Sequence, residues 1–348
     1  MTQVLIAHTY RGALIQASID AGIPIIASCE TEKFGAFTKI SQKIQQHNWP
    51  QISVLAEEKL WPSKLDNPEN TFIIAHPPCA AASCVTPNSH RGGLENPKSA
   101  FKFTADFLQW GLKLEPAILV TESVPGIIHL FDDLKSVRDS VTDKYGLFQI
   151  LDNSSHYGAA STRKRCWTFF YRKDLFPNGL DIIRPTESKK VTVWEAIHNA
   201  PTDIGVIPTH QKTYNRFHDM FDVLPQGMYA NKFLREGHWD LIPTNEQHLI
   251  KTKTNGEQYL FYESVAAMKL NPNGSCPSIT GSTLLIHPFE LRPLTYREML
   301  RINGVPDTFT LPSSITINQA TPFIGKAVCE KIAQWIIIEC DRNIKERV

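Results

Sequence analysis

Short apolar runs separated by longer amphipathic stretches fill about the first 170 residues. The runs Val4 to His8, Pro24 to Ser28, Thr71 to His76, Ala117 to Thr121, Phe148 to Asn153 and Cys166 to Tyr171 read as strands. Several are apolar without alternation, which is the pattern of parallel strands covered on both faces. Between them, Gly12 to Ala21 reads as a helix stopped by Gly22, and Ser99 to Leu114 carries apolar residues at helical spacing. Strand–helix–strand alternation predicts a doubly wound α/β domain over residues 1–185.

The pattern breaks near residue 185. From there to about 285 the chain is polar, irregular and rich in Pro, Asn, His and aromatic residues, as in a smaller loop-rich domain. VTVWEAI (Val191 to Ile197) predicts one short helix, and TYREMLRI predicts another ahead of the turn NGVPDTF. The apolar AVCEKIAQWIIIEC stretch reads as a last helix that packs back onto the first domain. The expected division is therefore 1–185, 186–317 and 318–348.

Composition narrows the class. The chain has 348 residues, 42% hydrophobic and 20% charged, which suits a folded protein of about two domains. Thirty-six Lys plus Arg against 35 Asp plus Glu leave a charge of +1, so any nucleic-acid site has to be a local basic patch. No apolar run reaches the roughly 18 residues of a membrane span, and the N-terminus does not resemble a secretory signal. The cysteines are Cys29, Cys79, Cys84, Cys166, Cys276, Cys329 and Cys340. An odd count with no CxxC pair argues against a disulfide framework or a cysteine zinc site, and for a reducing, cytoplasmic setting. The histidines are scattered, and no metal is expected.

Three segments carry candidate chemistry. His76-Pro77-Pro78-Cys79 follows a buried strand, where ligands of open α/β sheets sit, and its prolines stiffen the loop that presents Cys79 as a nucleophile. A buried cysteine in a proline-rich turn would give the same pattern. Thr121-Glu122-Ser123-Val124-Pro125-Gly126 follows a second buried strand, so Glu122 is either a general acid or a solvated loop residue. In Ser161-Thr162-Arg163-Lys164-Arg165, alternation places both guanidinium groups on one face of an extended segment, suited to phosphate or a base edge. Such a cluster is also what a solvated turn looks like.

Taken together, these segments resemble the DNA (cytosine-5)-methyltransferases. Pro77-Pro78-Cys79 with Ser83 is similar to their catalytic loop, and Arg91-Gly92-Gly93-Leu94-Glu95-Asn96-Pro97-Lys98 to the segment after it. Glu122-Ser123-Val124 resembles their Glu-Asn-Val element, and Arg163 and Arg165 their Gln-x-Arg-x-Arg element. Arg292-Pro-Leu-Thr295-Tyr-Arg297-Glu298, followed by Arg301-Ile-Asn-Gly304-Val-Pro306-Asp307, resembles their ninth block. Ile324-Gly325-Lys326-Ala327-Val328 resembles the last. The likeness spans nearly the whole chain.

The resemblance implies an S-adenosylmethionine-dependent, Rossmann-like sheet in 1–185, a target-recognition domain in 186–317 that includes the ninth block, and a helix in 318–348 that returns to the catalytic domain. It implies duplex DNA as partner, a monomer, and the cytoplasm of a bacterial or phage-infected cell. Catalysis would fall to Cys79, Glu122, Arg163 and Arg165. The base is flipped out of the duplex and Cys79 adds to its carbon-6. Glu122 stabilises the protonated N3, the arginines hold base and phosphate, and carbon-5 becomes nucleophilic. In 186–285, Lys212, Tyr214, Arg216 and Lys232 are candidate groove or phosphate contacts. A segment of that size is unnecessary for a free nucleotide.

Departures cluster at the cofactor. The family's Phe-x-Gly-x-Gly block falls on His8, Tyr10 and Gly12, and only Gly12 matches. Glu30 still fits the acid that bonds the ribose hydroxyls. Pro77, Lys326 and Ala327 complete the implied cofactor contacts. His76 stands for Gly, Ala80 for a polar residue, Ser161 for Gln and Phe323 for Gln; Lys326 stands for Asn, and Cys329 and Glu330 for prolines. An ammonium about 4 Å from a sulfonium would disfavour it by roughly 1–4 kcal/mol and favour an added carboxylate similarly. Two donors therefore stand: S-adenosylmethionine, with Lys326 facing solvent, or carboxy-S-adenosylmethionine, giving carboxymethyl transfer. A non-catalytic DNA-binding relative is the third reading.

Overall fold

The computed structural model describes residues 1–83, 90–186, 188–260, 266–280, 283–326 and 328–347. The chain divides into two compact units, each discontinuous in sequence. The first holds residues 1–157, 164–188 and 327–348; the second holds 158–163 and 189–326.

In the first unit the chain runs β1 (Gln3–Ala7), α1 (Ala13–Asp20), β2 (Ile25–Cys29), α2 (Ala36–Asn48), β3 (Val54–Leu55), β4 (Thr71–Ala75), α3 (Phe101–Lys113), β5 (Ile118–Ser123), α4 (Phe131–Val141), β6 (Tyr145–Asn153) and β7 (Lys164–Arg172). Among the described residues these strands form one seven-stranded sheet in the order β3-β2-β1-β4-β5-β7-β6. The strands from β1 to β5 pair in parallel. Their unbroken apolar runs fill the core: Leu5, Ile73 and Leu119 meet Phe101, Leu108 and Leu134 from the helices. β7, which the unbroken apolar pattern placed with the parallel strands, is instead antiparallel to both β5 and β6. The short connection from Asn153 to Lys164 contains a single 3₁₀ turn, Ser154–Tyr157, and no crossover helix. A parallel return would need a longer crossover.

The second unit contains α5 (Val193–Ile197), α6 (Pro208–Arg216), α7 (His218–Val223), α8 (Ala230–Arg235), a β8–β9 pair (Ile250–Thr252, Gln258–Leu260), a parallel β10–β11 pair (Ala266–Lys269, Thr283–Ile286), α9 (Tyr296–Ile302) and α10 (Ile317–Gly325). The polar stretch expected to be irregular thus holds helices packed on Phe217, Met220, Phe221 and Leu234. Three helix starts are capping boxes, Thr192 with Glu195, Thr295 with Glu298 and Thr316 with Gln319, which satisfy backbone donors at both ends of each first turn.

The chain then re-enters the first unit as α11 (Glu330–Glu346). Ile332, Ala333, Ile336, Ile337 and Cys340 form its buried stripe. Arg11, fully buried at the start of α1, pairs with Glu330 across 2.9 Å. Among the described residues no helix is long and apolar enough to cross a membrane.

Candidate active site

The carboxyl edge of the sheet gathers the candidate catalytic groups. β4 and β5 run side by side with Ala75 beside Thr121, so the next residues, His76 and Glu122, emerge as neighbours. Across the other ladder Glu122 faces Trp167, and Arg165 lies two residues before it on the same strand face. Glu122 is completely buried. Its Oε1 lies 2.8 Å from Arg165 Nε and its Oε2 lies 3.2 Å from His76 Nε2. Arg165 also donates to the Lys164 carbonyl at 2.7 Å, which fixes its fork.

Cys79 opens the 3₁₀ turn Ala80–Ala82 and is half-buried, whereas Pro77 is buried. That turn abuts the loop after Glu122: a Cβ on Gly126 would stand 2.2 Å from the Ala82 carbonyl oxygen, so only glycine lets the loops approach this closely. Cys79 and Glu122 are thereby held by touching loops.

Arg163 does not join this group. It is buried in the second unit and donates to the carbonyls of Ile279 at 3.2 Å and Gly325 at 2.5 Å. The expectation that both guanidinium groups share one face is corrected: β7 starts at Lys164, and the residues before it belong to the other unit.

The first block has left-handed backbone at residues whose side chains depart from the family's. His8, Tyr10 and Gly12 have φ of 51°, 55° and 92°, the left-handed region in which non-glycine residues are strained. Gly12 is irreplaceable on space alone, since a Cβ there would meet Trp49 at 2.0 Å. The Tyr10 amide donates to Glu30 Oε1 at 3.0 Å, and its carbonyl accepts from Ser41 Oγ at 2.5 Å and Gln45 Nε2 at 3.0 Å. The Tyr10 ring meets His76 edge-on at 5.3 Å and Phe37 at 5.6 Å. Burial raises its hydroxyl pKa, and the nearby Glu30, Cys79 and Glu122 add to that, so the phenol stays neutral and faces the catalytic edge.

Glu30 is buried, and burial pushes its carboxyl up to about 7 against the bonds from Gln45 and the Tyr10 amide. Gln45 Nε2 lies 2.7 Å from the same Oε1. His8 is pushed down to about 3, first by burial and then by His76, so it is a neutral aromatic ring. It stands 5.6 Å from Trp61 and 5.3 Å from Phe107, on the wall of a pocket of about 120 Å³ with Thr31, Phe34 and Trp110. An aromatic lining of this kind suits a flat heterocycle, and Glu30 comes directly after β2 and directly before Thr31 of the pocket. The residues present therefore suit the adenosine half of the expected cofactor. At the other half Tyr10 takes space that glycine would leave free.

Lys326 is exposed and caps the C-terminal end of α10 in the second unit. Ala327 lies outside the described residues. Of the candidate DNA contacts, Lys212 and Lys232 are exposed, Arg216 pairs with Glu246, and Tyr214 is buried with its hydroxyl on Asp222. Tyr214 is thus a core residue. No group of His, Cys, Asp or Glu among the described residues could hold a metal ion. Sequence reasoning missed the contact of His76 with Glu122, which depends on strand register, and the polar helix α2 that supplies Ser41 and Gln45.

A mostly parallel sheet with a buried glutamate after β2 and a half-buried cysteine in the loop after β4 is consistent with the Rossmann-like, S-adenosylmethionine-dependent methyltransferase class. Residues 10–342 match the family of C-5 cytosine-specific DNA methylases, and the chain belongs to that family. It is 24% identical to the type II methyltransferase M1.HgaI of Avibacterium volantium over 335 residues, 88% of this chain and 89% of the relative. It is 24% identical to M.FnuDI of Fusobacterium nucleatum over 291 residues, 80% of this chain and 77% of that one. The fold is shared with a prophage-encoded Escherichia coli protein described as a DNA modification methyltransferase, with TM-score 0.64, 18% identity and 99% and 100% of the two chains covered. It is shared also with a Spodoptera frugiperda DNMT2 variant, with TM-score 0.59, 14% identity and the same coverage. The family is one of methyltransferases, for which S-adenosylmethionine is the implied donor and DNA the implied substrate.

Proposed function

We propose that this protein modifies carbon-5 of cytosine in double-stranded DNA, with Cys79 as nucleophile, Glu122 as the acid facing N3 and Arg165 holding Glu122. The observation that carries this reading is the buried Glu122–Arg165 pair at the sheet edge from which Cys79 is also presented. The target base leaves the stack, because its ring carbons are out of reach within the duplex. The Cys79 thiolate forms a bond to carbon-6, and the electron pair displaced toward N3 is met by a proton held at Glu122. Carbon-5 is then electron-rich enough to take up the transferred carbon. Loss of the carbon-5 proton to solvent, departure of Cys79 as thiolate and return of the N3 proton to Glu122 restore the ring and the acid. S-adenosylmethionine, when bound, supplies the electrophilic carbon; His8, Trp61 and Glu30 would hold its adenosine part. Arg163, tied to two carbonyls, acts in this reading as a brace for the second unit.

The second unit supplies target recognition, with Lys212 and Lys232 toward phosphate. The protein acts as a monomer in a bacterial or phage-infected cytoplasm. The donor choice turns on Lys326: it is exposed at the C-terminal end of α10, the placement expected with S-adenosylmethionine as donor, and carboxymethyl transfer from carboxy-S-adenosylmethionine is the second reading. The purified protein is incubated with duplex DNA and each donor separately, and the nucleosides are identified by mass spectrometry, with Cys79→Ala as the blank. 5-Methylcytosine with S-adenosylmethionine supports the first reading. 5-Carboxymethylcytosine from the carboxylated donor, lost in Lys326→Asn, supports the second. No product with either points to a non-catalytic DNA-binding relative.

A further inference from the structure

The proposed reaction depends on one carboxylate being fixed in direction, and Arg165 secures only one of its oxygens. The other oxygen, Oε2, lies 3.2 Å from His76 Nε2, with both side chains buried. A carboxylate only accepts, so this contact is attractive when His76 carries its proton on Nε2. The backbone of His76 is fixed by the ladder and its ring is packed by an aromatic neighbour. The His76 amide donates to the Ala7 carbonyl at 3.2 Å, continuing the β1–β4 ladder, and the Tyr10 ring packs edge-on at 86°. We propose that His76 is a positioning residue for Glu122 in the transfer to cytosine; the proposal rests on the function read above.

The geometry explains what a histidine does there. With Arg165 Nε 2.8 Å from Oε1 and His76 Nε2 3.2 Å from Oε2, a nitrogen stands beside each oxygen, and the two together limit how the carboxylate can turn toward an incoming base. Preorganised polar groups of this kind act without reorganising during the reaction. The clamp is built from neighbours on adjacent strands, about 4.8 Å apart, so it is as rigid as the sheet. Tyr10 and His76 stand where the resembled family has glycines, and here they touch each other. The pair therefore joins the first block to the catalytic carboxylate, a link that two glycines could not make.

The test uses duplex DNA with 5-fluorodeoxycytidine in place of deoxycytidine, together with S-adenosylmethionine. Fluorine cannot leave carbon-5 as a proton does, so the Cys79–carbon-6 bond persists and is read as a shifted band on a denaturing gel. His76→Gly is expected to form this adduct about 10- to 100-fold more slowly at saturating DNA, a fraction of what a general acid contributes. The half-saturating DNA concentration should stay unchanged. His76→Gln, whose amide offers a donor to the same oxygen, is expected to stay within about threefold of the unaltered protein, by the same reasoning. Should the glycine variant not fold, His76→Leu keeps the bulk, removes the donor and should show the same loss. Equal adduct rates in the unaltered protein and the donor-less variants would overturn the proposal. So would equal losses in the Gln and Leu variants, because the contact would then only support folding. Absence of any adduct in the unaltered protein would instead overturn the function itself, and this proposal with it.

Discussion

The catalytic edge and the first block lie in the same unit, yet they solve opposite problems. At the edge, Cys79, Glu122 and Arg165 are the residues the family resemblance expects, and one added histidine lies against Glu122. In the first block two of the three expected side chains differ, but the backbone keeps its left-handed path through His8, Tyr10 and Gly12. The comparison separates what chemistry dictates from what shape dictates. A nucleophile and an acid cannot be exchanged, because each supplies specific atoms. A turn can be kept with other residues if the surrounding bonds hold it, as Glu30, Ser41 and Gln45 hold both polar groups of the Tyr10 backbone.

Substitutions probe each side of that contrast. Cys79→Ala should remove modified nucleoside entirely, a loss of roughly 10⁴-fold or more as for other deleted nucleophiles, read by mass spectrometry of digested DNA. Glu122→Gln should lower kcat about 10²- to 10⁴-fold with little change in DNA binding, read by single-turnover kinetics. A mild effect there would mean that Arg165 alone does the work at N3. In the first block the expected damage is to folding. Tyr10→Gly removes a buried aromatic ring at a cost of about 3–5 kcal/mol and recovers about 1 kcal/mol of backbone strain. A net loss of about 2–4 kcal/mol should appear in urea unfolding. If stability instead rises, the ring is not part of the packing and the contrast fails.

An effect that develops across a pH window concerns Glu30. Its folded carboxyl titrates at about 7 against an ordinary 4.5, so between those values the folded chain keeps a proton that the unfolded chain has lost. Glu30 therefore lowers stability progressively as pH rises through that window, by up to about 3 kcal/mol above it. Glu30→Gln should leave stability unchanged below pH 4.5 and raise it above pH 7, as measured by urea unfolding across pH. A constant difference at all pH values would show that the carboxyl is solvated.

Six of the seven strands of the large sheet were legible as short apolar-rich runs, whereas two-residue β3 and the short β8 to β11 are too brief to stand out, and the candidate residues were placed at strand ends by the α/β pattern. Direction was not legible: the apolar run of β7 reads alike whether it pairs parallel or antiparallel. α2 escaped because its buried positions include Thr38, Ser41 and Gln45, residues kept inside by hydrogen bonds. Tyr214 looked like a contact residue because an aromatic hydroxyl in a polar stretch reads as surface, whereas its partner Asp222 lies on the next helix. The two arginines around Lys164 could not be told apart by spacing, because only the division of the chain separates their surroundings.

The pairing of Arg11 with Glu330 sets an order of events during synthesis. The helix that seals α1 is made about 310 residues after it, so an early-made strand and helix wait for a late-made partner. A nascent chain stopped before Glu330 would carry a guanidinium with its buried counter-charge missing, a costly state for a folded interior. The nucleotide-type sheet is thus expected to mature only after translation has passed that point. The second unit, complete by Lys326, is then free to fold while its neighbour is still being made.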